Sequence, residues 1–319
     1  MSVRIGVLGT GAHSRATHGP ALREIVRRSP GGVELAAVCD LEAEKARDYA
    51  SEFGFERAYS DIDEMLGRED LDGLIAVTPV KLTEKIVSAL LPRGFPLLIE
   101  KPPGETPEAT QRLAALAERY GTPHMISFNR RFSPVIVKAR QWIEEGGGER
   151  RPKMILGRML RHARREEHFA AGTGIHLVDT VVSLLGAPES IGTVRIPTAQ
   201  AGSFLFYAHA NYRNERTALF AIAPAVGALE ETLEIHGQDY CLKVDVRGQR
   251  VALWQEKEEV WQWAVPASAD REIRDVIAET GAFLSAIEGK QLYWPTLTDA
   301  VVSMRVAEAI QKGGTVAFD

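Results

Sequence analysis

Two groups of residues in this sequence have types and spacings suited to chemistry. The first is Glu100-Lys101-Pro102, directly behind the apolar run Leu97-Leu98-Ile99. Short apolar runs bounded by turn formers read as buried strands of a parallel sheet. Ligands of open α/β sheets sit beyond the carboxyl ends of such strands. An ammonium there can bind an anion or a hydroxyl, or exchange a proton once burial lowers its pKa. The plain alternative is a surface lysine that begins a loop. The second group is His176 and Asp179, within Gly174-Ile175-His176-Leu177-Val178-Asp179. Their spacing puts both on one helix face, where a carboxylate can fix an imidazole's tautomer and raise its basicity. A histidine alone on a helix is more often structural.

A third motif points to a dinucleotide. The strand-like run Val3 to Leu8 meets Gly9-Thr10-Gly11-Ala12-His13-Ser14, a G-x-G-x-x-S loop. The first glycine of such a loop makes a tight turn and the second lets a pyrophosphate approach the backbone. Serine is small enough for the third place, where helix and strand pack closely. The spacing predicts a helix near Ala16 to Arg27, with its N-terminal N–H groups toward phosphate. The second strand, Val33 to Cys39, ends in Asp40. A carboxylate there accepts hydrogen bonds from ribose hydroxyls and repels a 2′-phosphate, which favours NAD over NADP. Lys45 and Arg47, further along, would soften that choice. Asp40 also suits the N-cap of a helix from Glu42 to Phe53.

These residues need elements to position them. Leu74 to Val77, closed by Thr78-Pro79, reads as a third strand, and His124 to Phe128 as a later one. Helical stretches lie at Leu82 to Leu91 and after Thr106-Pro107-Glu108, an N-cap, a first-turn proline and a first-turn acid. Strands alternating with helices imply a parallel, doubly wound sheet. After a helix at Val135 to Glu145 and Gly146-Gly147-Gly148, Lys153 to Leu160 can be a strand. Strand signals then dominate Glu189 to Val265 with tight turns between them, as in an antiparallel meander. Two helices, Arg271 to Glu288 and Thr298 to Lys312, close the chain.

The 319 residues suit two domains, divided as 1–123 and 124–319. A net charge of −5 gives no reason to expect nucleic acid or an anionic membrane as partner. The basic cluster Arg150, Arg151, Arg158, Arg161, Arg164 and Arg165 is edged by Glu149, Glu166 and Glu167 and lacks an aromatic platform, so it reads as a solvated face or a contact to an acidic substrate. Cys39 and Cys241 form neither a disulfide framework nor a familiar metal spacing, so no metal is expected. With no signal-peptide pattern and no long apolar run, the expected location is cytoplasmic.

Taken in order, G-T-G-A-H-S, C-D, E-K-P, Phe128-Asn129-Arg130-Arg131-Phe132 and G-I-H-L-V-D resemble the motifs of the Gfo/Idh/MocA oxidoreductases from Val3 to about Ile310. The resemblance implies an α/β protein: an N-terminal Rossmann domain, then a C-terminal α+β domain with a large, mostly antiparallel open sheet. It implies an NAD(P)-dependent dehydrogenase or reductase of sugars, polyols or related small molecules. Lys101, His176 and Asp179 would be catalytic, Asp179 more by orienting than by proton transfer. Gly9, Thr10, Gly11, Ala12, His13, Ser14, Asp40, Thr78, Pro79, Glu100, Lys101 and Pro102 would line the cofactor. Asn129, Arg130 and His176 would meet substrate, and Lys101–Pro102 would be cis. A homodimer or homotetramer through the C-terminal sheet is expected, since large open sheets with apolar patches suit subunit interfaces.

Two departures stand out. Gly172 occupies the place, four residues before the histidine, where many relatives carry an aspartate. Either Lys101 and His176 suffice, or Glu166 or Glu167 reaches in, or the usual alcohol oxidation is absent. Thr83 stands where many carry histidine and would tune the cofactor pocket. The alternatives to a dehydrogenase are a non-catalytic dinucleotide sensor and an NAD-dependent glycoside-cleaving relative.

Overall fold

The strands β1 (Val3–Leu8), β2 (Val33–Cys39), β3 (Arg57–Tyr59), β4 (Gly73–Ala76), β5 (Leu97–Glu100) and β6 (His124–Ser127) pair in parallel in the order β3-β2-β1-β4-β5-β6. That is the doubly wound dinucleotide-binding order. The computed structural model describes residues 2–265 and 271–318. The central strands read as continuous apolar runs because both faces are covered, and Ile5, Val7, Leu74, Leu97, Leu98 and Ile99 are fully buried. The connecting helices are α1 (Ala12–Ala16), α2 (His18–Arg28), α3 (Ala43–Phe53), α4 (Ile62–Arg68), α5 (Val80–Leu90) and α6 (Pro107–Tyr120).

Local signals set most of these bounds. Thr106 caps α6, its hydroxyl accepting from Ala109 N at 3.2 Å, and Gly121 ends it at φ +63°. The helix expected near Ala16 to Arg27 is present as α2, and the short α1 ahead of it makes the whole helical stretch a broken one. Thr17, at φ −128°, interrupts it, and its hydroxyl donates back to the His13 carbonyl at 2.8 Å. Such local back-bonding competes with regular helix.

The chain divides into two units, residues 1–129 with 272–301 and residues 130–271 with 302–319. The first runs past the boundary expected at 123/124 because β6 completes the parallel sheet, and because a late segment returns to it. There Ile126 N donates to Pro295 O at 2.8 Å and Leu297 N to His124 Nε2 at 3.1 Å.

The second unit contains α7 (Pro134–Glu145), β7 (Met154–Leu160), α8 (Phe169–Gly172), α9 (Ile175–Leu185), β8 (Ser190–Pro197), β9 (Phe204–Tyr212), β10 (Arg216–Ala223), β11 (Glu230–Gly237), β12 (Tyr240–Asp245), β13 (Arg250–Gln255) and β14 (Glu258–Ala264). Beyond them come α10 (Arg271–Ile287), most of which belongs to the first unit, α11 (Leu297–Lys312) and β15 (Gly314–Ala317). The sheet order is β14-β13-β12-β11-β7-β10-β9-β8-β15, antiparallel except for β7 beside β10. On one face α7 lies along β12 and β13, and α9 along β7 and β10. Alternation follows: Phe206, Ala208 and Ala210 are buried while Tyr207 and His209 look outward. The outward face keeps Val194, Ile196, Tyr207 and Leu219 exposed and carries a cavity of about 360 Å³ lined in part by Leu156, Tyr207 and Leu219. Among the described residues, no helix is long and apolar enough to cross a membrane.

Candidate functional site

In the first unit the expected cofactor residues gather at the carboxyl ends of β1, β2, β4 and β5. Gly9 turns the chain at φ +97°, and a Cβ there would stand 2.0 Å from the Val77 carbonyl oxygen, so only glycine fits. Gly11 is the opposite case: nothing lies within 4 Å of where its Cβ would be. The backbone at Gly11 therefore faces open space, as close approach of a pyrophosphate requires. Ala12 and His13 open α1. Ser14, in the third glycine place, is fully buried with its hydroxyl 3.0 Å from Tyr49 Oη.

Asp40 closes the loop from the side. Its Oδ2 accepts from Thr10 N and Thr10 Oγ1, both at 2.8 Å, and its Oδ1 from Glu42 N at 3.0 Å. Burial alone would raise this carboxyl. The Thr10 and Glu42 N–H groups and the Thr10 hydroxyl outweigh it, helped by Lys45, and the group sits below its ordinary value. It is a fixed carboxylate at neutral pH with lone pairs left for ribose hydroxyls. Lys45 pairs with Glu42. Donors and open space thus fit a dinucleotide, whose nicotinamide would supply the hydride acceptor.

Glu100 forms the floor, nine-tenths buried. Its Oε1 meets His13 Nε2 at 3.2 Å, His18 Nε2 at 2.9 Å and Ser127 Oγ at 2.9 Å, and its Oε2 accepts from Lys101 N at 2.8 Å. Burial would lift this acid, but the hydrogen bonds from His13 and His18 dominate and hold it far below the usual range. His18 is fully buried and was not foreseen. Its signal was only a second histidine shortly after His13 in the stretch that follows the glycine loop. Lys101 follows at the strand end, half-buried, with Lys101–Pro102 cis as the resemblance implies. Thr78 and Pro79 follow β4. Thr83 is buried, with its hydroxyl 2.9 Å from Thr78 Oγ1 and 3.2 Å from the Pro79 carbonyl. It ties the turn together, so any effect on the cofactor pocket acts through Thr78. Asn129, the last residue of this segment, is buried.

In the second unit two of the expected site residues lie in buried ion pairs. Asp179 is fully buried. Arg131 donates to both its oxygens at 2.8 Å, and Ser303 Oγ donates to Oδ1 at 2.7 Å. Its carboxylate makes a buried ion pair that ties α9 to the segment after β6 and to α11. Arg130 is likewise buried, its Nε donating to Glu231 Oε1 at 2.6 Å, while Arg161 takes Glu231 Oε2 at 2.6 Å. The expected substrate-facing arginine thus neutralises a buried carboxylate. His176, half-buried in the first turn of α9, donates its backbone N–H to Thr173 O at 3.2 Å. Gly172 faces open space at its Cβ position, and one residue beyond it Thr173 Oγ1 lies 3.1 Å from Glu166 Oε1. The basic cluster resolves into pairs: Arg158 with Glu230 and Glu234, Arg161 with Glu231, Arg164 with Glu166, and Arg150 stacked 4.2 Å from the Trp142 ring centroid.

Sequence reasoning also missed Glu234, His236 and Cys241, whose donor atoms all lie within 4.8 Å of one another. No familiar motif has their spacing. The signal was E-x-H running into a two-residue turn with a cysteine opposite.

A parallel sheet in the dinucleotide-binding order, with a glycine loop after β1 and a carboxylate after β2, marks the first unit as a Rossmann-type dinucleotide-binding unit, and the second is an open-sheet unit. Residues 3–128 match the Gfo/Idh/MocA description "Oxidoreductase family, NAD-binding Rossmann fold". Relatives include D-apiose dehydrogenase of Paraburkholderia graminis, 28% identical over 61% of this chain and 54% of that one. Another is an inositol 2-dehydrogenase of Corynebacterium glutamicum, 27% identical over 46% of this chain and 42% of that one. The chain thus spans about half the length of these two curated relatives. The whole fold is shared with a levoglucosan dehydrogenase solved with NADH and levoglucosan, at TM-score 0.86 and 18% identity, covering 99% of both chains.

Proposed function

We propose that this protein is an NAD-dependent dehydrogenase that moves hydride between nicotinamide and a carbon bearing a hydroxyl or carbonyl in a sugar, polyol or similar small molecule. The observation that carries this is the strand-end arrangement of β5. A carboxylate held ionised by two imidazoles sits under the glycine loop, and an ammonium follows it directly. The names of three relatives, D-apiose dehydrogenase, inositol 2-dehydrogenase and levoglucosan dehydrogenase, support the substrate class.

A bound nicotinamide would supply the hydride acceptor, so that in the oxidising direction the O–H proton goes to a base as the carbonyl forms. Lys101 holds the reacting oxygen and His176 takes the proton. Glu100 fixes the backbone at Lys101, and the Arg131–Asp179–Ser303 cluster fixes the helix that carries His176. The fixed charge on Asp40 makes NAD the preferred cofactor, with NADP accepted weakly. Gly172 favours the second reading, a sensor that binds dinucleotide without turnover, because it offers no carboxylate before His176. The dehydrogenase reading predicts NAD⁺ reduction with at least one sugar or polyol; the sensor reading predicts NADH binding with none.

The exposed Val194, Tyr207 and Leu219 on one sheet face favour a homo-oligomer closed through that face. Light scattering on Leu219→Glu would then show a smaller species than the unsubstituted protein. The two unbridged thiols suit a cytoplasmic location.

A further inference from the structure

The outward face of the second sheet carries a donor set that the dehydrogenase reading does not use. Glu234 and His236 are two apart on β11, so both side chains leave the same face. Cys241 stands directly opposite His236 in the β11–β12 register, across the turn at Gln238-Asp239, where Asp239 has φ +58°. Cys241 Sγ is 4.0 Å from His236 Nε2, and His236 Nε2 is 3.7 Å from Glu234 Oε2.

Tetrahedral zinc at bond lengths of about 2.0–2.3 Å separates its ligand atoms by about 3.3–3.7 Å. The hairpin holds the three donors within 4.8 Å of one another, somewhat wider than that spacing, and all three sit on adjacent strands of one hairpin. We propose that Glu234, His236 and Cys241 form a three-ligand site for a thiophilic divalent cation, zinc being the best fit. Imidazole and thiolate select such ions over magnesium or calcium.

The surrounding charges leave the site usable. Lys243, the next outward residue on β12, does not compete, because its ammonium lies 4.3 Å from the Trp254 ring centroid. Arg158 approaches Glu234 through the other carboxylate oxygen, Oε1, at 3.6 Å, which orients Oε2 toward His236. Partners of that kind position ligands in metal sites. The ion would pin β11 to β12 and leave a fourth position outward for water. Binding forms Zn–S, Zn–N and Zn–O bonds and releases the Cys241 thiol proton to solvent.

The full-length protein, stripped with chelator, is titrated with Co²⁺ and followed by absorbance, then displaced with Zn²⁺. The expected result is one equivalent of Co²⁺ per chain with a thiolate-to-cobalt charge-transfer band. Cys241→Ser abolishes the band, Cys39→Ser keeps it, and His236→Ala weakens Co²⁺ binding by more than roughly tenfold. Among the described residues the other compact donor group, His13, His18 and Glu100, has no thiol and cannot give that band. If the unsubstituted protein shows no charge-transfer band, or if the band survives Cys241→Ser, the site is overturned. Should Cys241→Ser fail to fold, His236→Ala and Glu234→Gln on the same exposed face decide the question by the same titration.

Discussion

Replacing Asp179 by asparagine tests whether this aspartate holds the fold or handles substrate. The substitution keeps size and shape but removes the charge that faces Arg131. Both side chains are almost completely buried, and the pair is bidentate with a third hydrogen bond from Ser303. Removing one partner of such a pair strands a buried charge and costs about 3–5 kcal/mol. That is a large share of the roughly 5–15 kcal/mol that stabilises a domain. At about 2–4 °C per kcal/mol for a unit of this size, the melting temperature should fall by about 6–20 °C. Circular dichroism melts would measure this, with turnover read well below the lowered midpoint. There the variant should keep turnover within about tenfold of the original. Removing both charges, as Arg131→Met with Asp179→Leu, should recover much of the lost stability. A variant that melts like the original but turns over a hundredfold more slowly would refute the argument and return Asp179 to the chemistry.

Lys101→Ala should lower turnover by at least about a hundredfold while NADH binding, read by fluorescence, stays near the original; activity within a few-fold would remove its role. Asp40→Ala should narrow the preference for NAD over NADP, as ratios of kcat/KM would report, because the carboxylate that repels a 2′-phosphate is gone. Glu100 is more acidic folded than unfolded, so its stabilising contribution is complete above its ordinary value of 4.5 and is lost as pH falls below it toward the depressed folded value. Melting temperatures of Glu100→Gln and the original protein should therefore differ most at neutral pH and converge in acid. Gly172→Asp should melt within about 2 °C of the original, since open space surrounds the added side chain; a large loss would show that the position is packed.

Local signals made the first unit readable. Thr106, Pro107 and Gly121 mark α6, and L-L-I-E marks β5 together with the residues that leave its end. The short β3 was missed, because three residues carry too little pattern to separate a strand from a loop. Partners distant in sequence were illegible for a different reason. Asp179 reads as a neighbour of His176 from spacing alone, yet its carboxylate is claimed by Arg131 and by Ser303, which lies on α11 far along the chain. Arg130, which the resemblance placed toward substrate, pairs with Glu231, a residue about a hundred positions away that no local pattern could have named. Helix periodicity says which residues share a face but not what that face meets. The same limit hid Glu234, His236 and Cys241, which only strand register brings together.

The most direct test of the central claim is the absorbance of reduced nicotinamide when the protein is given NAD⁺ and a panel of aldoses, anhydrosugars and cyclic polyols. The account predicts NADH formation with at least one of them, faster with NAD⁺ than with NADP⁺ and abolished in Lys101→Ala. Protein that binds NADH tightly yet reduces NAD⁺ with none of these compounds would contradict it, and would favour a chain that reads the dinucleotide without using it.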